Sequence, residues 1–313
     1  MNTIYCLGPF VLDQIVEVQR LPRHDEKAFV TGRREAAGGP ARNVAAALAR
    51  WGEHAVLISV IGDDTTGRRL LQSLAADALS RRGVTVLADT PTATTTVIVD
   101  ATGEKAILVD PLPEAALACI GRGIAPGAGD AVVANFYHPT AVARAFAAAA
   151  SCGAASFVDL ELPEIERWGW NAAFQVVSGA DVVLTNRQVL SAWMVREGAG
   201  RDMDDGVEEL ARRLSEGRGR ACVTLGNRGL VACEAGRIIR LPAPSIRPRD
   251  TTGAGDVFLA ALVRAERLAN SFDEALALAT AAAGVFLEGK LPPWSAVETR
   301  AQLLAANDDG TRR

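Results

Sequence analysis

The sequence predicts an α/β fold: a largely parallel central sheet with helices on both faces, plus a small β-sheet lid. Three observations lead there. Short β-rich runs alternate with longer Ala- and Leu-rich segments along most of the chain. The short runs are almost continuously apolar, as strands covered on both faces must be. Two segments break the alternation, and one of them, 93–110, holds two alternating runs of the kind a half-exposed sheet shows.

The strands of the central sheet are read at 3–8, 55–62, 130–136, 155–161, 181–186 and 220–226. Helical patterns lie between them at 40–51, 66–82, 139–152, 164–178, 187–197 and 204–216, and crossovers of this kind are right-handed. The helix at 40–51 is the best marked, with Pro40 suited to its first turn and Gly52 placed to end it. A strand pair at 229–243 precedes two further helices, 255–268 and 272–288. The exceptions are 11–36 and 93–110; the second reads as a hairpin turning at DATGEK. Neither is long enough for its own core, so both are assigned to one small sheet. Residues 1–10, 37–90 and 112–305 then form the α/β core, 11–36 and 91–111 the lid, and 306–313 a disordered tail.

Composition excludes several classes. The chain has 313 residues and a net charge of −4, with Lys and Arg scattered, so no basic stripe offers itself to nucleic acid. Its five cysteines include no CxxC pair, which argues against a zinc site or a disulfide framework. No run reaches the roughly 20 apolar residues of a membrane helix, and MNTIYCLGPF lacks the pattern of a signal peptide. A cytoplasmic protein with no membrane partner is expected.

The chemistry gathers in two glycine-bearing runs. In DTTGAGDVFLAAL, residues 250–262, a loop of little bulk opens a helix. The first amides of a helix have no partner within it, and with the helix dipole they attract anions. Gly253, Ala254 and Gly255 could therefore cradle a transferring phosphoryl group, with Asp256 placed to take a proton from the attacking hydroxyl. Taken alone, the loop fits a capped turn equally well. In EAAGGPARNVAAALARWG, residues 35–52, Gly38 and Gly39 permit close approach to the backbone. Asn43 both donates and accepts hydrogen bonds, which suits sugar hydroxyls. This run alone is equally a plain loop-to-helix junction. The chain has neither a GxxxxGK[ST] loop nor a GxGxxG after its first strand.

Together, and in this order about 210 residues apart, the two runs resemble the signatures of the ribokinase-like, PfkB-type carbohydrate kinases. The resemblance covers residues 3 to 303. It implies ATP as phosphoryl donor, with Mg²⁺ and a K⁺-type cation as cofactors, and a small-molecule sugar as acceptor. It implies Asp256 as general base and Gly253, Ala254 and Gly255 as anion hole. Asp13, Gly38, Gly39 and Asn43 match sugar contacts, and Thr224, Gly226 and Gly229 of VTLGNRG match nucleotide contacts. Asp250, Thr252, Gly284, Leu287 and Gly289 match the monovalent-cation ring. Where the family carries Asn-x-x-Glu, this chain has Asn186 but Val189, leaving Mg²⁺ to phosphates, water and Asp159, with Arg187 as an alternative phosphate contact.

The region 8–30 looks similar to the branch that includes sulfofructose kinase, and there Lys27 would meet an anionic group on the acceptor. Tyr137 and His138 follow a strand end, where an α/β sheet binds ligands, and Tyr137 is read as a substrate contact. Two alternatives remain at this point: a nucleoside kinase, against which sparse lid aromatics argue, and a non-catalytic sugar or nucleotide sensor. Open lid edges would pair into a homodimer.

Overall fold

The computed structural model describes residues 2–198, 202–216, 219–246 and 251–311. From the N-terminus, β1 (Thr3–Leu7) runs into β2 (Val11–Val18) and β3 (Val30–Gly38). Then come α1 (Pro40–Arg50), β4 (His54–Gly62), α2 (Thr65–Ser73), β5 (Val84–Leu87), and the hairpin β6 (Thr94–Val99) and β7 (Lys105–Asp110). A short α3 (Glu114–Leu117) leads to β8 (Ala131–Asn135), α4 (Pro139–Cys152), β9 (Ala155–Leu160), α5 (Leu162–Trp168) and α6 (Trp170–Val177). Next are β10 (Val182–Asn186), α7 (Arg187–Arg196), α8 (Met203–Ser215), β11 (Arg220–Thr224), β12 (Leu230–Glu234) and β13 (Arg237–Leu241). The chain closes with α9 (Ala254–Ala265), α10 (Phe272–Leu287) and α11 (Trp294–Thr311).

Nine strands form one sheet in the order β13-β12-β11-β10-β9-β8-β1-β4-β5, and β3-β2-β6-β7 form a second. Within the large sheet only the β11–β12 and β12–β13 pairings are antiparallel. Successive side chains on a strand face opposite ways, and the core shows it. In β8, Ala131 and Val133 pack with α1, α9 and α10, while Val132 and Ala134 pack with α4 and α6 on the other face. That division is why these strands carry apolar residues in unbroken runs.

The small sheet holds both segments that broke the βα rhythm. Asp13 lies opposite Ala36 on β3 and Thr95 on β6, so the two meet through β2. Its outer strand β7 leaves Ile107, Leu108 and Val109 exposed.

Several details differ from the expected elements. The helix expected over 66–82 stops at Ser73 and continues as two single turns, 74–77 and 81–83, with Ala78 left-handed between them. The helix expected over 164–178 is two helices broken at Gly169, whose φ of 88° no helix accepts. Strand β5 and helix α11 were not foreseen. The tail expected to be disordered, 306–313, continues α11 through Thr311.

Candidate active site

The site forms where α1 and α9 begin beside the small sheet. Gly39 precedes α1 with φ of 100°, and a Cβ there would sit 2.3 Å from the Pro9 carbonyl oxygen. Pro40 then starts the helix with its φ already set. This junction fixes the first turn that carries Asn43. A Cβ on Gly38 would lie 2.0 Å from Asp13 Oδ2, so the absence of a side chain is what lets the Asp13 carboxylate rest against this backbone. Thr95 donates to the other Asp13 oxygen. Burial raises the Asp13 carboxyl, opposed by Thr95, Arg42 and Arg34.

Gly253 caps α9 in the left-handed conformation, φ 80°. The first bond of the helix runs from the Val257 N–H to the Gly253 carbonyl. The Ala254 amide is turned to Thr251 O at 3.3 Å, which leaves Gly255 and Asp256 as the first-turn amides facing forward. A Cβ built on Gly255 meets nothing within 4 Å, so the space above this turn is open. The Asn43 Nδ2 group donates to Asp256 Oδ2 at 2.8 Å across 213 residues of sequence. Burial pushes the Asp256 carboxyl up to about 7; Glu161 and Asp13 push the same way, while Asn43 and Lys105 oppose.

Two clefts flank this turn. One, of about 410 Å³, lies between α1, α9 and the small sheet, and takes polar side chains from Asp13, Arg34, Arg42, Asn43, Arg50 and Asp77. The other, of about 270 Å³, is mostly apolar and is lined by Pro244, Ile246, Phe258, Ala283 and Leu287. Gly253 and Val257 line the first cleft, Ala254 and Gly255 the second. Asp256 itself lines neither cleft; its chain neighbours Gly255 and Val257 line one each, and its carboxylate is bonded to Asn43 of the polar cleft.

Most residues singled out from the sequence converge here. Asp13, Asn43 and Gly253 line the polar cleft, with Gly38 and Gly39 shaping its wall. Thr224, Gly226, Gly229, Gly255 and Gly284 line the apolar cleft. The left-handed turn at Gly229 lies against the chain after β13: a Cβ there would be 2.0 Å from Leu241 O. Thr252 lines the polar cleft, Leu287 the apolar one, and Gly289 lies just past the end of α10. Asp250 lies outside the described residues.

Other residues fall elsewhere. Tyr137 is 3% exposed in the core, its hydroxyl directed at Ile120 O at 3.5 Å, so it lines neither cleft. His138 caps α4 through the Ala141 amide. Lys27 is exposed on the segment before β3 and lines neither cleft. Asn186 caps α7, accepting from the Gln188 and Val189 amides. Val189 is fully buried in the core on the α7 face, so the side chain that replaces the family's Glu points into the protein.

Lys105, Glu161 and Glu164 carried no sequence signal, whereas Asp159 is read from the sequence as a magnesium contact. Lys105 reaches from β7 to donate to Thr252 Oγ1 at 2.8 Å, joining the small sheet to the loop before α9. Asp159, Glu161 and Glu164 gather at the end of β9 and the start of α5. Burial raises all three carboxyls, and mutual repulsion adds to the shift of Asp159 and Glu164, the latter reaching about 7. Glu164 Oε2 is buried without a hydrogen-bond partner. Surplus negative charge of this kind suits a nearby cation. No three acidic, His or Cys side chains form a ready metal cage among the described residues. Mg²⁺ keeps several waters and needs few protein ligands, so the Asp159 and Glu161 carboxylates are of the type that could hold it.

Comparison with known proteins agrees with this geometry. The profile described as "pfkB family carbohydrate kinase" matches residues 1–291. The Bifunctional protein HldE of Gluconacetobacter diazotrophicus is 30% identical over 98% of this chain, which spans only 65% of that protein's length. The ATP-dependent ribose-1-phosphate kinase of Halopiger xanaduensis is 27% identical over 84% of each chain. A putative ribokinase from Agrobacterium tumefaciens superposes with a TM-score of 0.79 at 21% identity, covering 97% of this chain and 99% of that one. With the family profile spanning all but the last two dozen residues, a ribokinase-like fold and both glycine-bearing runs in one site, the chain belongs to the PfkB family of carbohydrate kinases.

Proposed function

We propose that the protein transfers the γ-phosphoryl group of ATP to a hydroxyl, expected to be a primary one, of a sugar or sugar derivative. The observation that carries this reading is the bond of Asp256 to Asn43 of the polar cleft, on a helix turn whose residues line both clefts. A carboxyl raised to about 7 is well matched to accepting a proton near neutral pH.

The sugar occupies the polar cleft, with Asp13 and Asn43 receiving its hydroxyls. ATP lies along the apolar cleft, its adenine against Ala283 and Gly284 and its phosphates toward the first turn of α9. As Asp256 takes the hydroxyl proton, the alkoxide oxygen attacks the γ-phosphorus and the bond to ADP breaks. The forward amides of α9 and the Lys105 ammonium stabilise the charge on the moving group. Asp159 and Glu161 are the carboxylates that would hold Mg²⁺, which when bound would supply neutralisation of the phosphate charge. The small sheet acts as a lid that excludes water, the competing acceptor.

Eight polar side chains line the acceptor cleft, most of them charged, and Phe286 is its one aromatic among the described residues. That favours a polyol over a stacked nucleobase. The test is ADP release from ATP·Mg²⁺ against sugars, sugar acids, sugar phosphates and nucleosides, with and without K⁺. Release driven by a sugar or its derivative is expected. Release with nucleosides alone makes the protein a nucleoside kinase, and ATP binding without turnover makes it a sensor.

Two smaller predictions arise here. Gly255→Val projects a side chain into the open space over the first turn of α9. It should raise the KM for ATP at least tenfold while leaving Tm within a few degrees, a burden of about 1.4 kcal/mol on nucleotide binding. Pairing of the exposed β7 edge between two copies gives a homodimer; sedimentation should show it, and Leu108→Lys should return the protein to monomer.

A further inference from the structure

Asn43 does not stand alone beside Asp256. Its neighbour Arg42 uses both ends of its guanidinium: Nη1 donates to Asn43 Oδ1 at 3.2 Å, and Nη2 donates to Asp77. Asp77 is 6% exposed and closes the single turn 74–77 after α2. Arg50, one face further along α1, stands 3.9 Å from the other Asp77 oxygen. The connection Asp77–Arg42–Asn43–Asp256 thus joins a buried carboxylate behind α1 to the carboxylate on the first turn of α9.

The chemistry of each link gives the connection a direction. A side-chain amide has one accepting and one donating end, and exchanging them changes what the neighbour receives. A guanidinium has five donors and no acceptor, so Arg42 can engage only the Asn43 oxygen. With Oδ1 held there, the amide must offer its NH₂ to Asp256, as observed. Without Arg42, the amide could rotate and present Oδ1 to a protonated Asp256, accepting its O–H. Asn43 free to rotate can donate to the ionised carboxyl or accept from the protonated one; Asn43 held by Arg42 can only donate, which favours the ionised form because a carboxylate accepts more strongly than a protonated carboxyl. Asp77 keeps the guanidinium in place, and burial of that pair limits its escape to solvent.

We propose that Arg42, anchored by Asp77, is a positioning residue that fixes the orientation of the Asn43 amide and so keeps Asp256 in the proton-accepting form. This rests on the reading of Asp256 as the general base and adds to it the device that holds the base ready. The charged groups facing Asp256 are Asp13 from β2, Lys105 from β7, and Asp159 and Glu161 from the end of β9. A change at Arg42 removes none of these four side chains; of them, only Asp13 is one whose carboxyl Arg42 holds down, and a more protonated Asp13 would lower the Asp256 midpoint, opposite to the shift expected below.

The test is a titration of the Asp256 carboxyl by ¹³C NMR on aspartate-labelled full-length protein, its signal assigned by absence in Asp256→Asn. The experiment needs no acceptor, so it stands or falls separately from the choice of substrate. In Arg42→Leu the titration midpoint should rise by about one pH unit, a tenfold change in ionisation. In Arg42→Lys, which supplies a donor and no acceptor, it should stay within a few tenths of wild type. Asp77→Asn loosens the anchor and should move the midpoint upward by a smaller amount. An unchanged midpoint in folded Arg42→Leu overturns the proposal, and so does an equal shift in Arg42→Lys, which would reduce the effect to packing. Should Arg42→Leu fail to fold, Asp77→Asn decides: no upward shift there also overturns it. Once an acceptor is in hand, the acid limb of kcat/KM should follow the same order across the three variants. A loss confined to acceptor KM would instead make Arg42 an ordinary cleft residue.

Discussion

Asp256→Asn is expected to lower turnover by roughly 10² to 10⁴, the usual contribution of a general base, while leaving acceptor affinity nearly unchanged. The amide keeps the shape of the carboxylate and can still meet Asn43, so the cleft is preserved. What it loses is the capacity to receive a proton. The pH dependence carries the same sign. Burial has raised this carboxyl to about 7, so the base is protonated below that pH and ionised above it. In the free enzyme, kcat/KM should fall about tenfold per unit as pH drops below 7, and Asp256→Asn should lack that limb. A variant with wild-type turnover, or a wild type flat from pH 5 to 8, contradicts the role given to Asp256. Acceptor binding by calorimetry separates a chemical loss from a lost fit.

Gly39→Ala carries the largest expected cost to folding. The residue has a φ of 100°, which a Cβ disfavours by about 1–2 kcal/mol. The added methyl would also lie 2.3 Å from the backbone oxygen of Pro9, an atom with little freedom to yield. Overpacking of that kind costs about 1–3 kcal/mol, so a total loss of roughly 2–5 kcal/mol is expected in urea unfolding. Because Gly39 starts the helix that carries Asn43, the surviving folded protein should also bind acceptor more weakly. Gly52→Ala is the comparison: its φ is 86° but no atom lies within 4 Å of the added carbon, so only the conformational part should appear. Equal losses in the two variants would show that the Pro9 contact contributes nothing.

The sequence made the central architecture legible wherever one local rule dominated. Strands covered on both faces must be apolar throughout, and β1, β4, β8, β9, β10 and β11 were readable for that reason. Helix α1 announced itself through Pro40 and an apolar stripe. Reading failed where geometry turned on a single residue. Left-handed Ala78 follows the break after α2, although alanine signals no such turn. Gly169 did carry a signal, which the apolar pattern around it masked.

The site divided in the same way. Glycines needed for close backbone approach were readable, as was an Asp at the mouth of a helix. Long-range partners were not. Asp77 and Lys105 meet the site through pairings that span 35 and 147 residues, and Arg42, though beside Asn43 in the chain, gains its role only through Asp77. Tyr137 misled because a strand end is the right place for a ligand, yet its ring turned inward against the Ile120 carbonyl. Val189 looked like a lost metal ligand; its burial shows that the first turn of α7 presents this position to the core.

The central claim is that Asp256 drives phosphoryl transfer to an acceptor in the polar cleft. Mass spectrometry of the acceptor after incubation with ATP·Mg²⁺ tests it most directly, with wild type and Asp256→Asn run side by side. The account predicts an acceptor that gains one phosphoryl group, in step with ADP, in wild type and almost none in the variant. ADP without phosphorylated acceptor, or product formed equally fast by Asp256→Asn, would contradict it.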